Sequence, residues 1–288
     1  MINSFIDISD LNRKNFLDII YIENNINCLK NKSLGLLFEN PSTRTRLSFS
    51  VGINQLEGNT ININFENLNF SRYENFEDTF RAMNCYLDGL IYRTNDHNKL
   101  NEAKKYFKKP IINALSDKSH PCQALSDFFT LFEHFNTFDL NILWMGDMNN
   151  VCYSLIEAAN LVEEINFFIC TPTEISKDIS WHMKSNIKVV NKISEINLSA
   201  IDCVMTDVYI SMNDIDSVEK TELLKPYSVT TELMDKTSKN SVFMHCLPAK
   251  VGLEVTEEVY KSSKSIIWKQ AYNRMIAQKK LLQFIKWS

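Results

Sequence analysis

A segment rich in hydroxyl and guanidinium groups follows the first apolar run of the chain. The run SLGLLF leads into ENPSTRTR at 39–46, after which LSFSVGINQL has helical periodicity. A helix that begins here would direct backbone N–H groups, hydroxyls and a guanidinium toward one point, which suits a phosphate. The candidate phosphate-binding residues are Ser42, Thr43, Arg44 and Thr45. An ordinary capped helix with solvated arginines explains the same segment about equally well.

Two further segments place polar groups beside apolar runs. The run GLIYR ends in Arg93, which would add a second cation if it faces the edge where the strand ends. A charge at the surface is the simpler alternative. In SHPCQALSD, Pro121 is typical of a first helical residue, so His120 would lie at the cap and Gln123 in the first turn. A neutral imidazole and an amide can polarise a carbonyl oxygen, although a hydrogen-bonded histidine at a capped helix fits equally.

In the second half of the chain, polar residues again follow apolar runs. The run DLNILWM leads into GDMNN, which lacks the GxGxxG pattern of a dinucleotide-binding turn. Asn150 could hold a carboxylate at the start of the next helix. After IDCVMT come Asp207 and, four residues on, Ser211, a carboxylate and a hydroxyl that could bind an amino group. Each of these residues could equally be a capping group.

The segment HCLP follows the apolar run SVFM. Its proline fixes a rigid turn, which would expose backbone carbonyls and the Cys246 thiol at the edge of a sheet. A buried, inert cysteine is the alternative. A metal site made of His120, Cys122, His245 and Cys246 is disfavoured, because a second pair with zinc-like spacing is absent and adjacent residues of a strand point to opposite faces.

Short apolar runs alternate with amphipathic stretches, and this alternation positions the polar segments. Strands are predicted at 33–38, 60–64, 89–93, 110–114, 139–145, 165–170, 187–190, 201–206, 241–245 and 264–268. Helices are predicted after Asp10 and at 45–56, 76–87, 121–134, 149–162 and 269–285. The pattern indicates an α/β protein with parallel sheets flanked by helices, and the number of strands favours two domains joined near 132–138. Ligands bind at the carboxyl ends of such strands.

Composition excludes several classes of protein. The chain has 288 residues, 44% of them hydrophobic and 23% charged, and its net charge is −4. Nucleic acid is a poor partner for this balance, because phosphate-backbone binding needs a basic surface. No apolar run approaches the roughly 20 residues that span a bilayer, and the N-terminus lacks an apolar signal core. We therefore expect no membrane partner and a cytoplasmic location.

The seven cysteines have no paired CxxC spacing. An odd number without such pairs fits reduced thiols in a reducing compartment better than a set of disulfides. Cys152, Cys170 and Cys203 have apolar neighbours in the sequence and are expected in the core.

The order and spacing of these motifs resemble the aspartate/ornithine carbamoyltransferase family over nearly the whole chain. The HCLP turn and the Ser-Met pair after Asp207 are similar to the ornithine branch rather than the aspartate branch. The segments that carry the resemblance are FENPSTRTRLSF, ENFEDTFRAM, SHPCQALSD, WMGDMNNVCYSLIEAAN, TDVYISM, FMHCLPAKVGLEVTEEV and NRMIAQKKLL.

This resemblance implies a carbamoyl-phosphate-binding domain at 1–133 and an ornithine-binding domain at 134–268. A C-terminal helix at 269–288 would pack back on the first domain. It also implies transfer of the carbamoyl group of carbamoyl phosphate to the side-chain amine of L-ornithine, giving L-citrulline and phosphate. The expected assembly is a homotrimer or a multiple of trimers, with active sites at subunit interfaces. Neither a metal nor an organic cofactor is expected.

The resemblance also assigns site residues. Carbamoyl phosphate is expected to contact Ser42, Thr43, Arg44, Thr45, Arg93, His120, Gln123, Cys246, Leu247 and Arg274. Ornithine is expected to contact Asn150, Asp207, Ser211 and Met212. The expected catalytic residues are Arg93, His120, Asp207, Cys246 and Arg274. The chain departs from the family pattern at Met148, Asn213 and Tyr272, where Gly, Gly and Glu are usual.

Two alternatives stay open. One is the same transfer to another amine, such as putrescine or an N-acylornithine. The pattern of Asp207, Ser211 and Met212 favours free ornithine, because it offers partners for an α-amino group. The other is a non-catalytic family member that only binds ligands, which the presence of Arg44, Arg93, His120, Gln123 and Cys246 argues against.

Overall fold

The computed structural model describes residues 1–23, 25–65, 68, 74–176, 182–210 and 218–287. Its contacts divide the chain into two compact units. Unit 1 comprises Met1–Ser126 and Arg274–Ser288, and unit 2 comprises Asp127–Asn273. Each unit contains one parallel sheet with helices, as the alternation of strands and helices predicts.

The strands are β1 Ser33–Phe38, β2 Asn59–Asn64, β3 Gly89–Arg93, β4 Ile111–Leu115, β5 Leu140–Met145, β6 Ile165–Cys170, β7 Ile187–Val190, β8 Cys203–Thr206 and β9 Val242–His245. The α-helices are α1 Arg13–Tyr21, α2 Thr43–Gln55, α3 Phe76–Tyr86, α4 His97–Tyr106, α5 Pro121–Phe135, α6 Asn150–Leu161, α7 Thr173–Ser176, α8 Val218–Leu224, α9 Thr231–Lys236, α10 Glu257–Lys261 and α11 Ile267–Phe284. Short 3-10 helices lie at Ile8–Asp10, Ile193–Glu195, Leu198–Ala200 and Lys225–Tyr227.

The sheet of unit 1 has the order β2-β1-β3-β4, and all its strands are parallel. The inner strand β3 is buried at every residue, as expected of a parallel strand covered by helices on both faces. The edge strand β2 carries the polar sequence NTININ and is largely exposed. The backbone of Phe5 pairs with β4, donating to the Ile111 carbonyl at 2.9 Å, so the N-terminal segment extends the other edge.

The last part of α11 packs within unit 1, as the sequence predicts for the C-terminal helix. The backbone N–H of Lys286 donates to the Ile2 carbonyl at 2.8 Å. Trp287 packs against the start of β3, where a Cβ on Gly89 would lie 2.5 Å from the indole ring. The absence of a side chain at Gly89 therefore permits this close approach.

The sheet of unit 2 has the order β7-β6-β5-β8-β9 and is also parallel throughout. From β5 the chain moves outward to β6 and β7 and then returns to the other side of β5 at β8. The carboxyl ends of β5 and β8 therefore form a topological switch point, where ligands bind in open α/β sheets. Gly146, at φ 114, turns the chain away from β5 toward this edge.

The predicted strand at 264–268 is wrong. Ser265 forms only an isolated bridge with Phe243 of β9, and α11 begins at Ile267. Periodicity cannot distinguish a short apolar run in a strand from the same run at a helix start, and here the helix prevails.

All seven cysteines lie in the described part of the chain, and none of them forms a disulfide. Cys152, Cys170 and Cys203 are fully buried, as predicted. Within the described residues, no helix has the length and apolar character that crossing a membrane requires.

Candidate active site

The turn between β1 and α2 carries hydroxyl groups at the N-terminus of helix α2. Ser42 occupies the N-cap position of α2, but its side chain makes no capping hydrogen bond. Its Oγ instead accepts from Arg93 Nη1 at 3.0 Å. The first backbone N–H groups of a helix have no partner within the helix, so they and the helix dipole favour an anion at this point.

Arg93 reaches this turn because the sheet aligns the ends of β1 and β3. Phe38 lies directly beside Arg93 in the parallel register, and the backbone N–H of Glu39 donates to the Arg93 carbonyl at 3.0 Å. Nη1 of Arg93 also lies 3.5 Å from Thr45 Oγ1. The Arg93 side chain is thus buried at the carboxyl end of its strand rather than solvated at the surface.

The carboxylate of Glu39, the residue after β1, makes contacts near the ends of the same two strands. Glu39 accepts a hydrogen bond from the Tyr92 hydroxyl at 2.7 Å. It also forms an ion pair with Lys99 at 3.0 Å. These contacts tie the residue after β1 to β3 and α4, and so fix the start of the turn that carries Ser42.

His120, Gln123 and Arg274 form a second group in unit 1. His120 precedes α5 and Gln123 lies in its first turn, as predicted. Arg274 donates from Nη1 to Gln123 Oε1, and its Nη2 lies 3.3 Å from His120 Nε2. A guanidinium can only donate, so Nε2 accepts and the proton of the neutral ring resides on Nδ1.

Burial and nearby cations hold His120 in its neutral form. Burial lowers the pKa of His120 well below 6.5, and the positive charges of Arg274 and Arg93 lower it further. Burial also lowers the pKa of Arg93 to about 10, again with the charges of Arg274 and Arg44 contributing. The name guanidinium cluster is used below for Arg44, Arg93, Arg274, His120, Ser42, Thr45 and Gln123. The concentrated positive charge of this cluster suits a polyanionic ligand.

Cys122 lies beside this cluster but belongs to the core. Burial raises the pKa of its thiol to about 12, and Sγ lies 3.4 Å from the Asn113 carbonyl oxygen. Cys122 is therefore a buried, protonated thiol of the core.

In unit 2, Asp207 lies at the switch point and binds two side chains. Cys246 Sγ donates to Asp207 Oδ1 at 2.9 Å, and Asn149 Nδ2 donates to Asp207 Oδ2 at 2.7 Å. Asn149 also caps α6, since its Oδ1 accepts from the backbone N–H groups of Val151 at 3.0 Å and Cys152 at 3.1 Å. Asn149, Asp207 and Cys246 are called the Asp207 cluster below.

The turn after β9 is fixed by His245. The backbone N–H of Leu247 donates to His245 Nδ1 at 2.9 Å. Since Nδ1 accepts, Nε2 carries the proton and faces Glu254 Oε1 at 3.3 Å. Leu247 has a φ of 59, and its peptide bond to Pro248 is cis. Cys246 lies at the start of this turn, with its Sγ 2.9 Å from Asp207 Oδ1.

A buried chain of hydrogen bonds supports the end of β9. The backbone N–H of His245 donates to Gln270 Oε1 at 2.9 Å. Nε2 of Gln270 in turn donates to Asp127 Oδ1 at 2.8 Å. This chain connects α5, α11 and β9 within unit 2.

The expectation that His245 and Cys246 point to opposite faces is wrong. Their ligand atoms and one from Asp207 all lie within 4.8 Å of one another. The reason is that β9 ends at His245, so Cys246 belongs to the turn and the alternation of a strand no longer applies. Both ring nitrogens of His245 and both oxygens of Asp207 are already hydrogen-bonded. Hydrogen bonds within the described residues therefore hold the side chains of both His245 and Asp207.

The structure places the remaining candidate residues as follows. Thr43 and Arg44 occupy the first turn of α2 and are exposed. Asn150 is the first residue of α6 and is partly buried. Ser211, Met212 and the nearby Asn213 lie outside the described residues. Of the departures from the family pattern, Met148 is buried, whereas Tyr272 is 62% exposed on α11.

Sequence reasoning missed several residues that hold the two clusters. They are Glu39, Asp127, Asn149, His245 as a fixed acceptor, Glu254 and Gln270. Asn149 had a local signal, because an Asn just before a helix is a preferred cap. The partners of His245 had none, because Glu254 and Gln270 are brought to it only by the folded chain.

The fold and the two clusters together define a class of protein. Residues 3–133 match the family model for the carbamoyl-P binding domain of aspartate/ornithine carbamoyltransferase. Residues 138–285 match the model for the Asp/Orn binding domain of the same family. The chain therefore belongs to the aspartate/ornithine carbamoyltransferase family.

Within that family, the chain is similar to proteins named ornithine carbamoyltransferase. It is 40% identical to the one from Methanosphaera stadtmanae over 267 residues, which cover 89% of this chain and 88% of the relative. It is 38% identical to the one from Aquifex aeolicus over 268 residues, covering 89% and 86%. The solved structure of ornithine carbamoyltransferase from Pyrococcus furiosus has a TM-score of 0.89 at 31% identity, covering 98% of this chain and 96% of that one. The structure from Thermus thermophilus has a TM-score of 0.87 at 28% identity, covering 99% and 100%.

Proposed function

We propose that this protein transfers the carbamoyl group of carbamoyl phosphate to the side-chain amine of L-ornithine, giving L-citrulline and phosphate. The observation that carries the proposal is the guanidinium cluster, in which Arg93 contacts a helix N-cap and Arg274 contacts a neutral histidine. Such a site combines cations for a phosphate with a neutral donor for a carbonyl. Family membership and the relatives named ornithine carbamoyltransferase support the same reaction.

The phosphate group is assigned to the start of α2. Ser42, Thr43, Arg44 and Thr45 offer hydroxyls, a guanidinium and the N–H groups of the first turn. Arg93 adds a buried cation to the same turn. Arg binds phosphate oxygens through paired donors, and the helix dipole adds favourable potential. This set would hold the phosphate both in the reactant and as the leaving group.

The carbamoyl group is assigned to Arg93, Thr45, His120, Gln123 and Arg274. The neutral imidazole of His120, held by Arg274, would lie beside the carbamoyl group without adding a further charge to the cluster. Attack on the carbonyl carbon places negative charge on its oxygen, and fixed donors stabilise this charge best where water is excluded. Gln123 would orient the carbamoyl nitrogen, because its amide can both donate and accept.

The ornithine amine is assigned to the Asp207 cluster, with Asn150, Ser211 and Met212 as further contacts. An alkyl amine has a pKa of about 10, so it must lose a proton before it can attack. The carboxylate of Asp207 and the Cys246 thiol would position the neutral amine. The C–N bond then forms, the C–O bond to phosphate breaks, and the proton of the attacking nitrogen leaves with the phosphate. The Leu247 carbonyl is a further acceptor in the same turn.

The proposal extends to assembly and location. Leu47 and Val51 of α2 are 58% and 43% exposed, and Ile61 of the neighbouring edge strand is 45% exposed. These apolar side chains fit a contact with a second copy, so we propose a homotrimer, which light scattering of the purified protein would reveal.

Reduced cysteines are consistent with the cytoplasm. Because citrulline is the proposed product, we also propose a role in arginine metabolism and amino-acid biosynthesis.

An assay of citrulline formation tests the reaction. The purified protein would be given carbamoyl phosphate and L-ornithine, with putrescine, N-acetylornithine and aspartate in parallel reactions. We expect turnover with ornithine alone. Turnover with another amine instead would retain the carbamoyl-phosphate assignment and refute the ornithine assignment. If a folded protein used none of these amines, it would be a ligand-binding member of the family rather than an enzyme.

A further inference from the structure

We infer that His97 is a positioning residue for His120 and acts through the turn at 116–119. The inference rests on the proposed function, because His120 is the residue assigned to the carbamoyl group. His97 is the first residue of α4 and is 7% exposed. It belongs to none of the motifs that carry the family resemblance.

His97 is held between a carboxylate and a hydroxyl. Its Nε2 lies 3.2 Å from Asp7 Oδ2, and its Nδ1 lies 2.9 Å from Ser116 Oγ. Its backbone N–H donates to Asp117 Oδ1 at 2.7 Å. Both the side chain and the backbone of His97 therefore bind consecutive residues of one turn.

This turn leads directly into His120. The backbone N–H of Ser116 donates to the Ser119 carbonyl at 2.8 Å. In the opposite direction, the backbone N–H of Ser119 donates to Ser116 Oγ at 3.1 Å. Ser116 is fully buried and Ser119 is 2% exposed. The hydroxyl that contacts His97 is thus also the acceptor that closes the turn, one residue before His120.

The N-terminal segment supplies the other side of this arrangement. Burial raises the pKa of Asp7, but hydrogen bonds from His97 and Ser119 and the nearby charge of Lys118 outweigh it, so the pKa lies below 3.8. The Ile6 carbonyl accepts from Asn113 Nδ2 at 2.9 Å. The segment that precedes Asp7 is therefore held against β4, and the ionised carboxylate of Asp7 holds the imidazole of His97.

In this arrangement, His97 affects the group that binds the carbamoyl oxygen but not the groups that bind the phosphate. His120 contacts the carbamoyl oxygen in our assignment, whereas the phosphate is bound at the start of α2. A displacement of a few tenths of an ångström at His120 weakens a hydrogen bond that depends on distance and angle. Loss of the His97 contact should therefore affect ligands that carry the carbamoyl group and leave inorganic phosphate unaffected.

A pair of amide substitutions tests which contact of His97 matters. The amide of His97→Asn lies near the position of Nδ1 and can retain the bond to Ser116. The amide of His97→Gln lies near the position of Nε2, so it can reach Asp7 but loses Ser116. Ser116→Ala removes the hydroxyl without altering the histidine. His182→Gln, at an exposed histidine, is the matched control.

Binding would be measured by calorimetry with two probes, inorganic phosphate and the stable carbamoyl-phosphate analogue phosphonoacetamide. We expect His97→Gln and Ser116→Ala to raise the dissociation constant of the analogue about tenfold, which is the effect of losing one buried hydrogen bond. His97→Asn should raise it less, and all variants should bind phosphate as the unmodified protein does.

Three results would overturn the inference. Unchanged analogue binding in both His97→Gln and Ser116→Ala would show that the turn does not position His120. An equal loss of affinity for both probes would show that His97 has a general structural role instead. If the unmodified protein bound phosphate but not the analogue, the proposed function would itself fail, and the inference with it.

Discussion

At the scale of single residues, the chemistry of unit 1 depends on the shape of the arginine side chain. Arg93 uses one nitrogen, Nη1, to contact both Ser42 and Thr45. A guanidinium presents five N–H donors in one plane, whereas an ammonium is a compact point charge on a flexible stem. Arg93 can therefore order two hydroxyls and still direct donors toward a ligand, which a lysine in the same place cannot do.

Arg93→Lys should retain the fold but lower kcat/KM for carbamoyl phosphate about 100-fold, the usual effect of losing one oriented donor at a developing oxyanion. Initial rates of citrulline formation would measure this change. Arg81→Lys is the control, because Arg81 is an exposed arginine paired with Glu77 on the same helix. A kcat/KM for Arg93→Lys equal to that of the control would contradict the assignment of Arg93.

At the scale of elements, the Asp207 cluster depends on the start of a helix. Asn149 caps α6 through its Oδ1 and binds Asp207 through its Nδ2. One amide thus connects the ends of β5 and β8 at the switch point. The capping role and the orienting role use different atoms, so substitutions can separate them.

Asn149→Ser should keep the cap and lose the contact with Asp207, whereas Asn149→Ala should lose both. We expect the alanine variant to lose about 1 kcal/mol more unfolding free energy than the serine variant, since serine and asparagine cap comparably. Both variants should show a similarly reduced kcat with ornithine. Urea denaturation and steady-state kinetics would measure the two effects, and full activity in Asn149→Ser would remove Asn149 from the site.

The elements were largely predictable because their patterns are local. Buried parallel strands such as β1 and β3 are nearly continuous apolar runs, and their ends mark where polar residues collect. The strand predicted at 264–268 is wrong because a short apolar stretch also begins α11. Ser42 is the N-cap residue of α2, but its hydroxyl binds Arg93, a residue 51 positions away, and no local pattern indicates this contact. Networks such as Glu254–His245–Leu247 have no periodic pattern and follow only from the folded chain. The roles assigned to site residues remain predictions.

At the scale of the whole molecule, buried groups with shifted pKa values make stability depend on pH. His120 is neutral in the folded chain because burial and two arginines lower its pKa well below 6.5. In the unfolded chain it takes up a proton as the pH falls below that value. The unfolded state then binds more protons than the folded state, so acid lowers the free energy of unfolding.

His120→Asn should reduce this dependence between pH 6.5 and pH 5. Removing one such proton difference should lower the slope by up to about 1.4 kcal/mol per pH unit. Urea denaturation of both proteins at several pH values would measure the slopes. Parallel slopes in this range would mean that His120 is protonated in the folded state as well.

The guanidinium cluster has a further consequence for the molecule as a thermodynamic system. Burial lowers the pKa of Arg93, and repulsion from Arg274 and Arg44 lowers it further. An anion that binds among them relieves this repulsion in the folded state and has no equivalent site in the unfolded state. By mass action, its concentration then sets part of the melting temperature, and at 100 times its dissociation constant the gain is about 2.7 kcal/mol. Phosphate, the released product, would thus protect the enzyme against heat relative to a buffer that contains no phosphate.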